Sequence, residues 1–101
     1  MNLAIVAKAE SVTFAANKDD TVEFPDCRPA FVEAYNRTLI AADLPVQVVA
    51  PYIDKSKAWI AARGQDIGVR MDETWSCYQS GPKACGKCLA CLKREAALAT
   101  V

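Results

Sequence analysis

Histidine is absent from this chain, and glycine is scarce. Without histidine the chain has no imidazole of its own to serve as a base or a metal ligand. The glycines number four and all lie in the second half of the chain: Gly64, Gly68, Gly81 and Gly86. A glycine-rich loop that cradles phosphates therefore cannot be written anywhere in the sequence. These two absences argue against a nucleotide phosphate site built by this chain alone.

Net charge and long hydrophobic runs are also missing. Twelve basic and twelve acidic residues cancel, which argues against a general binder of phosphate backbones and predicts no direct contact with nucleic acid. The apolar residues 2–9 are too few to span a membrane and lack the basic start of an export signal. We therefore expect a cytosolic chain without membrane contact, in which cysteines are metal ligands or catalytic groups rather than disulfides.

The 101 residues are enough for one domain, and their pattern alternates between strands and helices. Short β-branched runs predict strands at residues 11–16 and 46–50, the first of them buried. Helical spacing predicts helices from residue 31 to 42, from residue 56 and over residues 91–98. This order predicts an α/β fold with a parallel sheet. Two strands make a poor sheet alone, so the chain is expected to form part of a larger one.

Four of the five cysteines lie in the last quarter of the chain, and their spacing is that of a metal site. Cys77 precedes Cys85 by seven intervening residues, and two residues separate Cys85 from Cys88 and Cys88 from Cys91. Thiolates this close can reach one tetrahedral ion, and Gly86 permits a sharp turn between them. Four thiolates leave a net charge of about −2 around Zn²⁺, which Lys83, Lys87 and Lys93 are placed to offset. We predict a closed, structural zinc site.

Other interpretations of the cysteines remain open at this point. The cysteines could be packed core thiols or form disulfides. They could also hold an iron–sulfur cluster, because close Cys-x₂-Cys runs ligate such clusters too. The run here lacks the x₃-Cys-Pro ending of one such pattern, and one longer gap is common in zinc ribbons. The ligand type favours zinc.

A second unusual string lies between the first strand and the following helix. Asp26, Cys27 and Arg28 stand at a strand-to-helix loop, where α/β folds place ligands. The structural interpretation makes Asp26 the helix cap, Arg28 a surface charge and Cys27 a packed thiol, and ordinary capping favours it. Further along, Ser56 and Lys57 open a helix and are equally compatible with a cap followed by a solvated lysine.

Taken together, these strings resemble the 7-cyano-7-deazaguanine synthase family over almost the whole chain. Asn17–Arg28 is similar to the family string Asn-x-x-Asp-Tyr-Ser-Gly-Tyr-Pro-Asp-Cys-Arg, with six positions in register: Asn17, Asp20, Pro25, Asp26, Cys27 and Arg28. The middle of the chain resembles the family at Pro51, Ser56–Ala58, Ile60, Gly64, Gly68 and Val69. The tail resembles its zinc-binding segment at Thr74–Tyr78, Cys85, Gly86, Cys88, Cys91 and Arg94.

The resemblance implies an ATP-dependent carbon–nitrogen ligase of the PP-loop (adenine-nucleotide alpha-hydrolase-like) class. It implies conversion of 7-carboxy-7-deazaguanine and ammonia into 7-cyano-7-deazaguanine in queuosine biosynthesis, a tRNA modification route. Carried over by position, it makes Asn17, Asp20, Asp26 and Arg28 substrate-binding residues and Lys57 catalytic. Zn²⁺ would be held by Cys77, Cys85, Cys88 and Cys91. Residues 1–70 would be the C-terminal half of the α/β domain on the substrate side, and residues 71–101 the zinc-binding tail and helix.

The chain departs from the family in two places. The ATP signature Ser-Gly-Gly-x-Asp-Ser is absent, together with the N-terminal half of the family that carries it, so ATP would be bound by that half. The chain would be a fragment, a truncated gene product, or one piece of a split pair whose partner is a separate N-terminal PP-loop polypeptide. Thr21–Phe24 replaces Tyr-Ser-Gly-Tyr. We therefore expect the C-terminal portion of the enzyme, inactive alone, with a homodimer left open. The alternatives are a stand-alone zinc ribbon that binds protein or RNA, and a decayed remnant without activity.

Overall fold

The computed structural model describes residues 1–101. The chain divides into two compact units, Met1–Lys55 and Ser56–Val101. Four α-helices and two β-strands are formed, in the order α1 (Asn2–Val6), β1 (Ser11–Thr13), α2 (Pro29–Ala41), β2 (Gln47–Val49), α3 (Lys57–Asp66) and α4 (Leu89–Leu98). Single 3₁₀ turns occupy Lys18–Asp20, Pro25–Cys27 and Met71–Glu73. None of the helices has the length and apolar character that crossing a bilayer requires.

The first unit is built on a two-stranded parallel sheet. Ser11 pairs with Gln47 and Thr13 with Val49, and α2 forms the crossover between the two strands and packs against β2. The predicted parallel α/β arrangement is therefore confirmed, whereas nothing in this small sheet identifies the PP-loop fold. The strand predicted at residues 11–16 is shorter than expected, and it is not buried: Ser11 and Thr13 are exposed and Val12 is half-buried. Its one neighbouring strand is β2.

The start of α2 differs from the sequence prediction. The helix begins at Pro29, and the residue in the N-cap position is Arg28, whose side chain makes no capping hydrogen bond. The prediction that Asp26 caps this helix is wrong, because residues 25–27 form their own 3₁₀ turn ahead of it. Proline at the first helical position has no N–H that needs a cap and is already set to a helical φ.

The second unit consists of α3 and α4 packed against each other, with the cysteine-bearing loop between them. Ser56 caps α3 as expected, since its Oγ accepts a hydrogen bond from the backbone N–H of Trp59 at 3.0 Å. The helix continues past Gly64 and ends at Asp66, and Gly68 then adopts a φ of +87°. That left-handed conformation is one that glycine adopts without steric cost.

Both units have thin cores. The buried apolar side chains are Ala16, Leu39 and Val46 in the first unit, and Cys77, Ala90, Cys91 and Ala97 in the second. Large apolar side chains such as Ile40, Phe31 and Trp75 remain substantially exposed. Such small cores supply little stability, so a metal ion in the second unit and further chain around the first would each add substantially to it.

Candidate metal centre

The sulfur atoms of Cys77, Cys85, Cys88 and Cys91 all lie within 4.8 Å of one another. The Sγ atoms of Cys85 and Cys91 are 3.9 Å apart. Two thiolates on one tetrahedral ion with metal–sulfur bonds of about 2.3 Å are separated by about 3.8 Å. The four sulfurs thus form a site of the size that a single metal ion fills.

Backbone N–H groups point at the sulfurs of this cluster. Cys77 Sγ accepts from the amides of Gln79 and Cys85, at 3.3 and 3.4 Å. Cys85 Sγ accepts from those of Lys87 and Cys88, at 3.4 and 3.3 Å. Because these donors are part of the backbone, they provide a fixed positive environment that stabilises thiolates and offsets the negative charge of a four-thiolate site.

The environment separates the pKa values of the thiols. The backbone amides of Tyr78 and Cys91 lower the pKa of Cys88 to about 6. The amides of Lys87 and Cys88 likewise lower the pKa of Cys85. Burial raises the pKa of Cys91 to about 12, in keeping with its 3% exposure. The site therefore combines thiols that ionise readily with a buried thiol that gives up its proton only to a strong competitor such as a metal ion.

Local sequence explains why the cysteines converge. Gly86 has a φ of +70°, which allows the chain to turn between Cys85 and Cys88. No other atom lies within 4 Å of where a Cβ of residue 86 would be, so its backbone conformation is the constraint. Cys88 is the N-cap of α4, and its Sγ accepts from the amide of Cys91 at 3.4 Å. The prediction that the last cysteine lies at the start of a helix is confirmed.

Arg94 and Trp75 tie the cysteine-bearing loop down. Arg94 Nη1 donates to Thr74 Oγ1 at 2.7 Å, and its Nη2 donates to the carbonyl oxygen of Met71. Trp75 Nε1 donates to the carbonyl oxygen of Cys77 at 2.9 Å. These bonds hold the segment that carries Cys77 against the helix that carries Cys91.

The loop of residues 17–28 in the first unit contains the predicted substrate-binding residues. Asn17 is 5% exposed; its Oδ1 accepts from the amide of Asp19, and its Nδ2 donates to Asp20 Oδ2 at 2.8 Å. Arg28 donates from Nε to the carbonyl oxygen of Thr21 at 2.7 Å and from Nη2 to that of Val22. The structure thus brings Asn17 together with Asp20, and Arg28 with the backbone of the loop.

Asp26 lies apart from these contacts. Its side chain is exposed and lines a groove of about 240 Å³ beside Phe14 and Phe31. Cys27 Sγ lies 3.9 Å from Asp26 Oδ1. The guanidinium of Arg28 has five N–H donors in all, so donors remain for a ligand after its two bonds to the loop.

Lys57 is the first residue of α3 and lies in the second unit. It lines a pocket of about 110 Å³ together with Ile60, Ser76 and Arg94. The Oγ of Ser76 is buried and has no hydrogen-bond partner. The pocket lies between α3, the cysteine-bearing loop and α4, and the last two of these also carry the four cysteines.

Sequence reasoning missed the contributions of the backbone. The sequence analysis predicted that lysine side chains offset the negative charge of the thiolates. In the structure, backbone N–H groups donate hydrogen bonds to the sulfurs, and one of these is the backbone amide of Lys87. Ser76 and the bonds of Arg94 to Met71 and Thr74 were not anticipated either. The Cys-x₂-Cys spacing could have predicted these hydrogen bonds from backbone N–H groups, because a chain that turns between two such cysteines directs its N–H groups at the first sulfur.

By its fold and its candidate site, this is a small α/β protein with a four-cysteine centre able to hold a metal ion. A sequence model of the family described as queuosine biosynthesis protein QueC matches residues 1–101. The chain belongs to this family.

Curated relatives agree with the family match. A 7-cyano-7-deazaguanine synthase of Rhizobium johnstonii is 41% identical over 98 residues, which are 94% of this chain and 42% of the relative. The enzyme of that name from Hahella chejuensis is 44% identical over 92 residues, 90% of this chain and 40% of the relative. The enzyme of the same name from Halobacterium salinarum is 43% identical over 88 residues, which are 84% of this chain and 38% of the relative. The chain spans about two fifths of these relatives, in their C-terminal part.

Proposed function

We propose that this chain is the zinc-bearing, substrate-side portion of a 7-cyano-7-deazaguanine synthase. The observation that carries the proposal is the convergence of four thiols within 4.8 Å in a chain that belongs to this family. The substrates would be 7-carboxy-7-deazaguanine, ammonia and ATP, with ATP bound outside the residues of this chain. The division of roles at residue 70, the cytoplasmic setting and a homodimer stay predictions.

Zinc is the metal proposed for the cysteine centre. Four thiolates form a closed donor set that suits Zn²⁺, with no position left for a catalytic water. An iron–sulfur cluster places several iron and sulfide atoms between its cysteine ligands, and four sulfurs that all lie within 4.8 Å of one another leave no room for them. The ion would stabilise the second unit by joining the loop of Cys77 to the helix of Cys91.

The proposed chemistry replaces a carboxylate by a nitrile in two activations. Carboxylate oxygen is a poor leaving group until a phosphate-type ester carries its charge. ATP would form that ester, ammonia would displace it to give the amide, and a second activation of the amide oxygen would allow its loss. Lys57 is proposed to neutralise charge that develops near the leaving group. Its place beside the pocket of Ser76 and Arg94 supports this role.

The loop of residues 17–28 is proposed to recognise the deazapurine. Asp26 would accept hydrogen bonds from the amide-bearing ring, and Arg28 would donate charge-assisted bonds to its acidic group. Asn17 and Asp20 would act by fixing the loop, which their mutual hydrogen bond supports. In place of the missing Tyr-Ser-Gly-Tyr, the carbonyl groups of Thr21 and Val22 would orient Arg28.

The test combines this chain with the part of the Rhizobium johnstonii relative that precedes its match. We expect the co-expressed pair to convert 7-carboxy-7-deazaguanine, ammonia and ATP into the nitrile, detected by mass spectrometry. Lys57→Met should abolish conversion, and the exposed Lys8→Met should leave it unchanged. A pair that forms without producing the nitrile would overturn the proposed activity. Salt-dependent binding of RNA by the chain alone would favour the zinc-ribbon alternative instead.

A further inference from the structure

The four cysteines of the metal centre differ in their access to solvent. Cys85 and Cys88 are half-buried, whereas Cys77 and Cys91 are buried, and Cys91 has 3% of its surface exposed. None of the four forms a disulfide in the structure. The susceptibility of a cysteine to oxidation follows its exposure and its thiolate character, so a small oxidant that arrives from solvent meets Cys85 or Cys88 first.

Moving the sulfur costs less at Cys85 than at Cys88. Cys88 is the N-cap of α4, and its Sγ accepts from the amide of Cys91, so a bond that draws this sulfur away would cost the helix its cap. Cys85 lies in the loop, outside any helix or strand. Its neighbour Gly86 has open space on the side where a Cβ would be. Of the two half-buried thiols, Cys85 is therefore the one better placed to shift.

A partner for Cys85 lies within reach. The Sγ atoms of Cys85 and Cys91 are 3.9 Å apart, and a disulfide of about 2.05 Å would require them to approach by about 1.9 Å. Cys85 belongs to the loop and Cys91 to the first turn of α4. A bond between them would join the same two segments that a metal ion joins, while removing two of the four metal ligands.

We propose that Cys85 and Cys91 form a reversible disulfide when the chain meets hydrogen peroxide, and that this bond expels the metal ion from the four-cysteine centre. In the first step the Cys85 thiolate attacks one oxygen of the peroxide, the O–O bond breaks, hydroxide leaves, and Cys85 becomes a sulfenic acid. In the second step the Cys91 thiolate attacks the Cys85 sulfur, and the S–O bond breaks to release a second hydroxide. Two thiolates thus lose two electrons, which the peroxide takes up.

The consequence for the metal follows from ligand number. Cys77 and Cys88 would remain, and two thiolates are too few for the four-ligand set of a structural zinc site. A dithiol reductant would break the bond by thiol–disulfide exchange and restore all four ligands. The inference rests on the zinc proposed for this centre and is independent of the ligase activity.

Metal release and disulfide mapping test the inference on the purified, zinc-loaded chain without substrate or partner. A chromophoric chelator should record loss of the zinc as hydrogen peroxide is added, and dithiothreitol followed by fresh zinc should restore the original content. Trypsin cleaves after Lys83 and Lys87, so Cys85 falls on a different peptide from Cys88 and Cys91. Unreduced digests should contain the two peptides joined, and fragmentation should place the bond on Cys91.

Cys85→Ser and Cys27→Ser form a matched pair of variants. Cys27 is half-buried as well but lies outside the cluster, so Cys27→Ser should release zinc at the wild-type rate and form the same bond. Zinc-loaded Cys85→Ser should release its metal at least tenfold more slowly. If this variant holds no zinc, the metal-free wild-type chain provides the test: peroxide should produce the same bond, and zinc uptake should return only after reduction.

The outcomes separate this inference from the proposed function. A bond between Cys88 and Cys91, oxidation to sulfinic acid without any bond, or zinc retained by the joined chain overturns the inference. Zinc loss that reductant and fresh zinc do not reverse overturns it as well. A chain that takes up no zinc in either state overturns it together with the metal site. The expected bond and zinc release, in a chain whose complex makes no nitrile, would support the inference and overturn the proposed function only.

Discussion

The sulfurs of Cys85 and Cys91 lie 3.9 Å apart, although six positions of chain separate the two residues. This separation is that of two ligands on one tetrahedral ion, about 3.8 Å for metal–sulfur bonds of about 2.3 Å. The intervening turn at Gly86 and the helix cap at Cys88 hold the sulfurs there. The site is thus organised by backbone geometry, and a metal ion would add a direct link between the loop and the helix.

The purified chain is expected to contain one zinc ion, measured by elemental analysis. Cys88→Ser removes a proposed thiolate ligand but keeps an N-cap acceptor for α4, because a serine Oγ can accept from the Cys91 amide in place of Sγ. It should weaken zinc binding by more than the roughly 10- to 100-fold that changing an outer-shell partner costs. Removal of zinc with a chelator should lower the unfolding temperature of the second unit, followed by circular dichroism.

Cys27→Ser is the matched control for this prediction. Cys27 lies in the first unit, outside the four-sulfur cluster, so its variant should keep the full zinc content and unfolding temperature. Equal zinc content in the Cys88→Ser and Cys27→Ser variants would contradict the metal site. Iron in place of zinc in the wild-type chain would contradict zinc as its metal.

The thiols of the metal-free chain should differ in their reaction with an alkylating reagent. Amide donors lower the pKa of Cys88 from 9.0 to about 6, so its thiolate forms as the pH rises through about 6. Burial raises the pKa of Cys91 to about 12, so it should react last. Peptide mapping of the alkylated chain should show Cys88 modified first at neutral pH. Added zinc should protect both, because the metal occupies the thiolates.

The lowered pKa of Cys88 and the raised pKa of Cys91 determine whether the stability of the metal-free second unit rises or falls with pH. Cys88, whose folded pKa is lowered, stabilises the metal-free second unit above its unfolded pKa of 9.0, and this contribution is lost as the pH falls through about 6. Cys91, whose folded pKa is raised, contributes below pH 9.0 and loses its contribution as the pH rises toward about 12. Denaturation of the Cys88→Ser variant should lack the rise in stability between pH 6 and 9.

Arg94→Met should destabilise the zinc-bound second unit by about 1–3 kcal/mol, because it removes charged hydrogen bonds to Thr74 and to the backbone of Met71. Arg63→Met, at an exposed position of α3, is the matched control and should change stability by less than about 0.5 kcal/mol. Denaturant unfolding measures both. Similar midpoints for the two variants would show that Arg94 does not hold the cysteine-bearing loop.

The sequence predicts those features that depend on spacing between nearby residues. The Cys-x₂-Cys pattern identifies the four sulfurs that converge, and Ser56 marks the start of α3 because a serine cap acts within one turn. The parallel pairing of β1 and β2 follows from the alternation of strands and helices.

Features that depend on particular long-range contacts escape such reasoning. The extent of β1 depends on how much partner strand lies beside it, which the local run of residues 11–16 does not contain. Asp26 has the chemistry of a helix cap, but the 3₁₀ turn of residues 25–27 displaces it from that position. Asn36 reads as a polar residue within a helix, and only its contact with Val48, twelve positions further on, reveals its role.

Asn36→Ala should both destabilise the first unit and expose the edge of the sheet that runs along β2. The substitution leaves the N–H and C=O of Val48 without the side-chain partners they have, at a cost of about 1–3 kcal/mol for half-buried groups. Asn36→Asp keeps an acceptor for the N–H but places a carboxylate oxygen against the carbonyl, so it should also destabilise. Thr38→Ala, which removes an exposed hydroxyl on the same helix, should change stability by less than about 0.5 kcal/mol.

An edge newly exposed at β2 is a template for pairing between copies, so light scattering should show concentration-dependent association of Asn36→Ala beyond that of Thr38→Ala. If both variants unfold at the same midpoint and scatter alike, Asn36 does not close this edge.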